Sequence, residues 1–183
     1  ACKDITAAHL QAVADLLEKQ TGRYVKLPYG LTATRVYNVI EIIGKRKETE
    51  KICLPIDTDR LPENLLAGEW KFSFKKFPYD GNTDKIPRKM YTKWFDYDKI
   101  KDSLAIRNRR KGDYFVLDAA GHHKKLEDYF VNEKIPASHR DEQLLLAGED
   151  EIFWIVGGRM AYGTGISDAT RWVLEITASN SSH

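Results

Sequence analysis

Residues 124–141 read KKLEDYFVNEKIPASHRD, and residues 151–160 read EIFWIVGGRM. The first stretch sets Leu126, Tyr129 and Phe130 at helical spacing and meets a stop at Pro136. It predicts a helix from Lys124 to about Glu133. In the second, Ile152 to Val156 follows Leu144 to Leu146 across the turn Gly148-Glu149-Asp150, the pattern of a β-hairpin. Arg171 to Ile176 is a further alternating strand, with Trp172, Leu174 and Ile176 facing one way. A helix beside antiparallel strands makes the fold class α+β.

Upstream, Tyr114 to Leu117 reads as a strand and Gly121 as the turn that introduces the helix. The solvated basic run Arg107 to Gly112 resembles a linker, which predicts a domain boundary near Arg110. Before it, Thr6 to Gln20 carries Leu10, Val13, Leu16 and Leu17 on one helical face, with Thr6 as N-cap and Thr21-Gly22 as stop. Tyr24 to Leu27 and Thr34 to Ile43 read as strands around the turn Pro28-Tyr29-Gly30, with the charged run Gly44 to Lys51 as a solvated turn. Lys51 to Ile56, Glu69 to Phe77, Met90 to Phe95 and Leu104 to Arg107 are further strand candidates. Trp70, Phe72 and Phe74 alternate onto one face. The expectation is two small domains, 1–110 and 111–178, each a mostly antiparallel sheet or hairpins with one or two helices, and a frayed polar tail over 179–183.

Hydrophobic residues make up 42% of the 183 positions and charged residues 31%, with four tryptophans, the composition of a folded chain and not of a disordered tail. The two cysteines, Cys2 and Cys53, have no metal-ligand spacing and are too few to staple a fold of this size, which points to a reducing compartment such as the cytoplasm. No apolar run approaches a membrane span, and the first residues lack the pattern of a signal peptide. The chain begins at Ala1 without methionine, the expectation for a piece of a longer protein. The net charge of +2 conceals an asymmetry: Lys/Arg and Asp/Glu number ten and ten over residues 1–70, fifteen and seven over 71–125, and four and ten over 126–183. The middle is a basic belt, and local fields matter more to a polyanion than the total.

Lys124 and Lys125 fall in the first turn of the expected helix, where the macrodipole disfavours cations. A docked phosphate would reverse that penalty. Two solvated lysines offset by Glu127 and Asp128 explain the pattern equally. Arg107, Arg109, Arg110 and Lys111 lie upstream, Arg140 follows the Pro136 turn, and Arg159 follows Gly157-Gly158. Guanidinium groups match phosphate oxygens in bidentate geometry, so a domain edge collecting these side chains suits the shape and backbone of an RNA helix. His122, His123 and the remaining histidines form no metal spacing. Asp96 and Asp98 share one strand face by geometry alone and read best as turn-stabilising carboxylates. The glycines after Ile155 match no nucleotide-binding pattern.

The run KKLEDYFVNEKIPASHRD followed by EIFWIVGGRM closely resembles the last domain of tRNA(Ile)-lysidine synthases: a Lys-Lys-Leu helix, an Ile-Pro stop, an Arg-Asp pair and a Trp-Val-Gly-x-Arg strand and turn, in that order. FDYDKIKDSLAIRNRRKGDYF, Phe95 to Phe115, is similar to the family's link between its two carboxy-terminal domains, and GRYVKLPYGLTATRVYNVI, from Gly22, to the start of the first. Departures fall at Asp113-Tyr114-Phe115, where Asp-Arg-Phe is more familiar, and at Ala137-Ser138-His139, where basic or bulky residues are common. The resemblance implies a parent ligase that adenylates the wobble cytidine of isoleucine tRNA with ATP and magnesium and then lets lysine displace AMP. That chemistry belongs to an amino-terminal catalytic domain with a Ser-Gly-Gly-x-Asp-Ser loop, a motif missing from this sequence. The chain is therefore expected to hold no catalytic residue, metal or cofactor. Its expected partners are isoleucine tRNA, through Lys124, Lys125, Arg140, Arg159 and the Arg107 to Lys111 cluster, and the catalytic domain of the same protein.

Two other readings compete with this one. A hydrolase or transferase built on His122 and His123 requires a group of shifted pKa in a cleft. A protein-docking module that supports the catalytic domain without gripping tRNA by itself requires an exposed apolar patch.

Overall fold

The computed structural model describes residues 4–44, 51–101 and 103–180. Cys2, the charged turn over 45–50 and the tail beyond 180 lie outside the described residues. The chain forms two compact units, residues 1–50 and 51–183.

In the first unit, α1 (Ala7–Asp15) is N-capped by Thr6, whose backbone N–H donates to His9 Nδ1 at 3.1 Å. A 3-10 turn (Leu16–Glu18) continues it, so the helix ends before Thr21-Gly22. Of the four residues expected to form its core face only Leu16 is buried, while Leu10 and Leu17 are more than half exposed. A three-stranded antiparallel sheet follows in the order β1 (Tyr24–Lys26), β2 (Thr32–Val36) and β3 (Val39–Ile43). The stretch expected as one strand from Thr34 to Ile43 is thus a hairpin. Tyr37, with φ +51°, turns the chain so that Val36 pairs with Val39.

The second unit contains β4 (Cys53–Ile56), β5 (Asn64–Ala67), β6 (Trp70–Pro78), β7 (Thr92–Asp96), α2 (Tyr97–Ile100) and β8 (Leu104–Arg107). After these come β9 (Tyr114–Val116), β10 (His123–Lys125), α3 (Leu126–Asn132), α4 (Ala137–Arg140), β11 (Leu145–Ala147), β12 (Ile152–Ile155) and β13 (Trp172–Asn180). Two four-stranded antiparallel sheets dominate, in the orders β5-β6-β13-β7 and β12-β11-β8-β4, beside the two-stranded β9–β10 hairpin. Strand β13 returns between β6 and β7, pairing Phe74 with Ile176 and Phe72 with Ala178, so the expected alternation on each strand meets in one core. Ser179 and Asn180 are part of β13, so the polar end is paired strand up to residue 180.

Strands β11 and β12 divide two apolar clusters. Leu146 and Trp154 join Phe72, Phe95 and Ile176 on one side, while Leu145 and Ile155 join Phe115, Leu126 and Phe130 on the other. Both faces are covered, which is why Ile152 to Val156 is continuously apolar instead of alternating.

The compact units therefore do not divide at Arg110. Strand β8, before that residue, pairs with β11, after it, and β13 pairs with two strands drawn from residues 70–96. Backbone ladders that close long loops tie the flanks of the basic run into one body. Asp96 is likewise structural. Buried, it caps α2 by accepting from the Asp98 N–H and takes the Thr170 hydroxyl at 2.8 Å.

Candidate nucleic-acid interface

Lys124 and Lys125 are not in a helix. They close β10, which pairs antiparallel with β9 so that Lys124 stands opposite Phe115 and Lys125 opposite Tyr114. The helix begins one residue later, and Glu127 and Asp128, not the lysines, occupy its first turn, where they complement the dipole. No pair of cations opens α3, so the macrodipole calls for no phosphate there. The expected helix start rests on the helix-forming character of lysine, which strand pairing overrides. The helix also stops before Pro136: Lys134 turns left-handed at φ +55°, and the Ile135 N–H closes back on the Phe130 carbonyl at 2.8 Å.

The hairpin nevertheless brings cations together. Phe115, 1% exposed, is its anchor. The Arg159 guanidinium lies 5.5 Å from the centre of that ring and donates to the Leu117 carbonyl at 3.4 Å. Lys124 is half-buried and donates at 2.7 Å to the Asn132 amide oxygen in the orientation that satisfies that amide. Lys125 is exposed. Tyr129 stacks edge-on against Phe115, and burial pushes its phenol pKa up, helped by the Glu133 carboxylate and opposed by Arg159. Lys124 and Arg159 thus both meet the hairpin at Phe115, while Lys125, next along the strand, projects from its other face.

The Arg107 to Lys111 cluster splits apart. Arg107 is fully buried and makes a bidentate pair with Asp113 at 2.8 and 2.9 Å, and it also donates to the carbonyls of Glu149 and Asn108. It is not available to a ligand, which corrects its expected role. An unpaired charge at that depth would cost several kcal/mol, roughly 3–5 when one partner of a buried pair is lost. Asp113 also accepts the Arg110 N–H at 2.7 Å, so one carboxylate fixes the turn that presents the rest of the cluster. Arg109 is partly engaged, 2.7 Å from Asp141 and 3.6 Å from Glu127. Arg110 and Lys111 are exposed; Arg110 also donates to the Cys53 thiol at 3.0 Å. Arg140 is half-buried and its Nε holds the Ile135 carbonyl at 2.8 Å, bracing the turn after α3. Asp113 and Phe115, which organise the site, carried no sign of that role in the sequence beyond their place between two cation clusters.

The histidines have local work. His122 Nδ1 is 2.8 Å from Asp118, whose carboxyl is held below its ordinary value first by that hydrogen bond and then by the backbone N–H groups of His122 and Ala120. This is the tip of the β9–β10 turn, where His122 is exposed and Asp118 half-exposed. His123 packs edge-on against Tyr114. Among the described residues no three His, Cys, Asp or Glu side chains gather as metal ligands, and no helix is long and apolar enough to cross a membrane.

Residues 104–176 match the family model described as the TilS substrate C-terminal domain. Over 92% of its length the chain is 34% identical to a tRNA(Ile)-lysidine synthase of Caldanaerobacter subterraneus subsp. tengcongensis and 28% identical to one of Clostridium tetani, and it spans 36% of the length of each. A crystal structure of a TilS C-terminal domain superposes with a TM-score of 0.54 over 72% of this chain and 98% of that one, at 19% identity, and shares the mixed, mostly antiparallel fold. The matched segment begins at Leu104 in β8 and contains Arg107 to Lys111, Lys124, Lys125, Arg140 and Arg159, so the candidate residues fall where the chain resembles a TilS substrate C-terminal domain, and the chain is similar to tRNA(Ile)-lysidine synthases over nearly its whole length.

Proposed function

We propose that this chain is the tRNA-gripping, non-catalytic part of a cytoplasmic tRNA(Ile)-lysidine synthase. The observation that carries the proposal is the placement of Lys124, opposite the buried Phe115, and of Arg159, over its ring, with exposed Lys125 next along the strand, all within the matched segment. Arg110 and Lys111 form a second contact, with Arg109 and Arg140 contributing the parts of their guanidinium groups not held by Asp141 and Ile135. Cations held by a rigid hairpin lose little freedom when they meet phosphates. They track a backbone of A-form geometry without reading sequence.

In this reading the larger enzyme supplies the ATP, magnesium and lysine chemistry in an amino-terminal catalytic domain. The present residues select the isoleucine tRNA and hold its body, so that the wobble cytidine meets that distant site in one geometry. The test is a titration of the chain with isoleucine tRNA and a non-cognate tRNA at two salt concentrations. The expected result is salt-sensitive binding that favours the isoleucine tRNA. Absence of binding at low salt contradicts the proposal.

A further inference from the structure

A second feature lies across the segment boundary of the matched domain. Trp70, at the start of β6, and Tyr91, just before β7, meet with ring centroids 5.2 Å apart at 43°. With His139, Glu142, Gln143 and Val156 they line a cleft of about 210 Å³. The aromatic wall is fixed from behind: a Cβ on Gly157 would stand 2.7 Å from the Tyr91 ring, so only glycine lets the ring lie there. The Tyr91 carbonyl accepts from the Ala178 N–H at 2.8 Å, which pins the segment to β13.

Beside His139 the polar lining offers two acceptors. Gln143 Nε2 donates to the carbonyls of Leu144 and Val156 at 3.1 and 2.9 Å, which leaves its amide oxygen as the group it can offer a ligand. Glu142 is exposed, and among the described residues no hydrogen bond or ion pair engages its carboxylate. A partly exposed aromatic wall of two inclined rings beside acceptors suits a planar heterocycle that presents donors. The volume lies below the roughly 300–1,000 Å³ of drug-sized ligand sites, matching a single ring system. We propose that this cleft takes one unstacked guanine of the bound RNA, its face on Trp70, the inclined Tyr91 ring closing the wall beside it, and its N1–H and N2 amino group donating to Glu142. Unpaired RNA bases are held in this way, by stacking on aromatic side chains and by hydrogen bonds along their edges.

The inference rests on the tRNA reading, because α4 carries both His139 of the cleft and Arg140 of the proposed phosphate contacts. RNA held at Arg140 would have a base within reach of the cleft. Residues 51–103 supply Trp70 and Tyr91, without which the cleft is incomplete.

The test uses the whole chain, ¹⁵N-labelled and titrated with GMP, AMP, CMP and inorganic phosphate. The readout is the Trp70 indole N–H resonance, identified by its loss in Trp70→Phe. GMP is expected to move that resonance and phosphate is not. Glu142→Gln, at an exposed position that leaves folding intact, is expected to abolish the preference for GMP over AMP. Trp70→Leu is expected to weaken tRNA binding about tenfold, while Trp70→Phe retains it. An unmoved Trp70 resonance at saturating GMP, an equal response to phosphate, or an unchanged preference in Glu142→Gln overturns the proposal. The two readings fail separately. If tRNA binding depends on Lys124 and Lys125 but not on Trp70 or Glu142, the cleft assignment alone is lost. If GMP binds as described and tRNA does not, the cleft stands and the tRNA reading falls.

Discussion

Two runs of neighbouring cations, Arg107 to Lys111 and Lys124-Lys125, look interchangeable as sequence and behave differently as structure. The first opens with a guanidinium that is fully buried, paired with Asp113 and donating to two backbone carbonyls. The second ends a short strand, with Lys125 open to solvent and Lys124 laid along the hairpin. What separates them is the position of a carboxylate. Asp113 lies where the end of β8 can fold back on it, whereas the acids after Lys125 enter a helix that uses them at its own first turn. A count of local charge registers both runs as basic. Arg107 is held inside the fold, and Lys125 is open to solvent.

The comparison breaks first on stability. Asp113→Ala leaves Arg107 charged and buried, and Arg107→Met leaves Asp113 so; each is expected to cost about 3–5 kcal/mol in urea denaturation. Lys125→Ala, by contrast, is expected to stay within about 0.5 kcal/mol of the parent. If Arg107→Met proved as mild as Lys125→Ala, the division between structural and ligand-facing cations would collapse.

A smaller effect sharpens the boundary between strand and helix. Lys134 sits at φ +55°, where a side chain is strained, so Lys134→Gly is expected to stabilise the end of α3 by up to about 1 kcal/mol, read as a rise in Tm. A loss of stability would mean that the lysine side chain makes up for the strain. The weakest effect concerns the hairpin tip. Asp118 has its pKa lowered chiefly by His122, so the associated stabilisation is present above the ordinary aspartate value of 3.8 and is lost as pH falls through the lowered one. His122→Ala should return the Asp118 carboxyl resonance toward ordinary titration in NMR while leaving behaviour at neutral pH unchanged.

Much of the fold was readable from local pattern. The alternation of Trp70, Phe72 and Phe74, the apolar Ile152 to Val156 and the helical spacing of Leu126 and Phe130 each led to the right element, because side-chain period reports which face is buried. The failures share a cause. Thr34 to Ile43 is broken at Tyr37-Asn38, where the asparagine is a turn signal but the left-handed residue is the tyrosine before it, a type that rarely adopts that conformation. Lys124 and Lys125 have helical propensity, and pairing with Tyr114 to Val116 across the hairpin turn drew them into a strand. The unit boundary went unseen because β13, near the end of the chain, completes a sheet begun at Asn64. Of the candidate site, the residue types and their clustering were legible. The burial of Arg107 was not, because nothing in a sequence states which carboxylate a guanidinium will meet.

The most direct measurement is the salt dependence of isoleucine tRNA binding by the parent chain, by Lys124→Ala/Lys125→Ala and by Arg110→Ala/Lys111→Ala. With duplex-like counterion release, each phosphate that a substitution leaves without its cation lowers the log–log slope by about 0.9. A shallower slope and weaker binding are expected for both pairs of substitutions, with the isoleucine tRNA still preferred. A slope and affinity unchanged by removal of Lys124 and Lys125 would contradict the proposed tRNA contact.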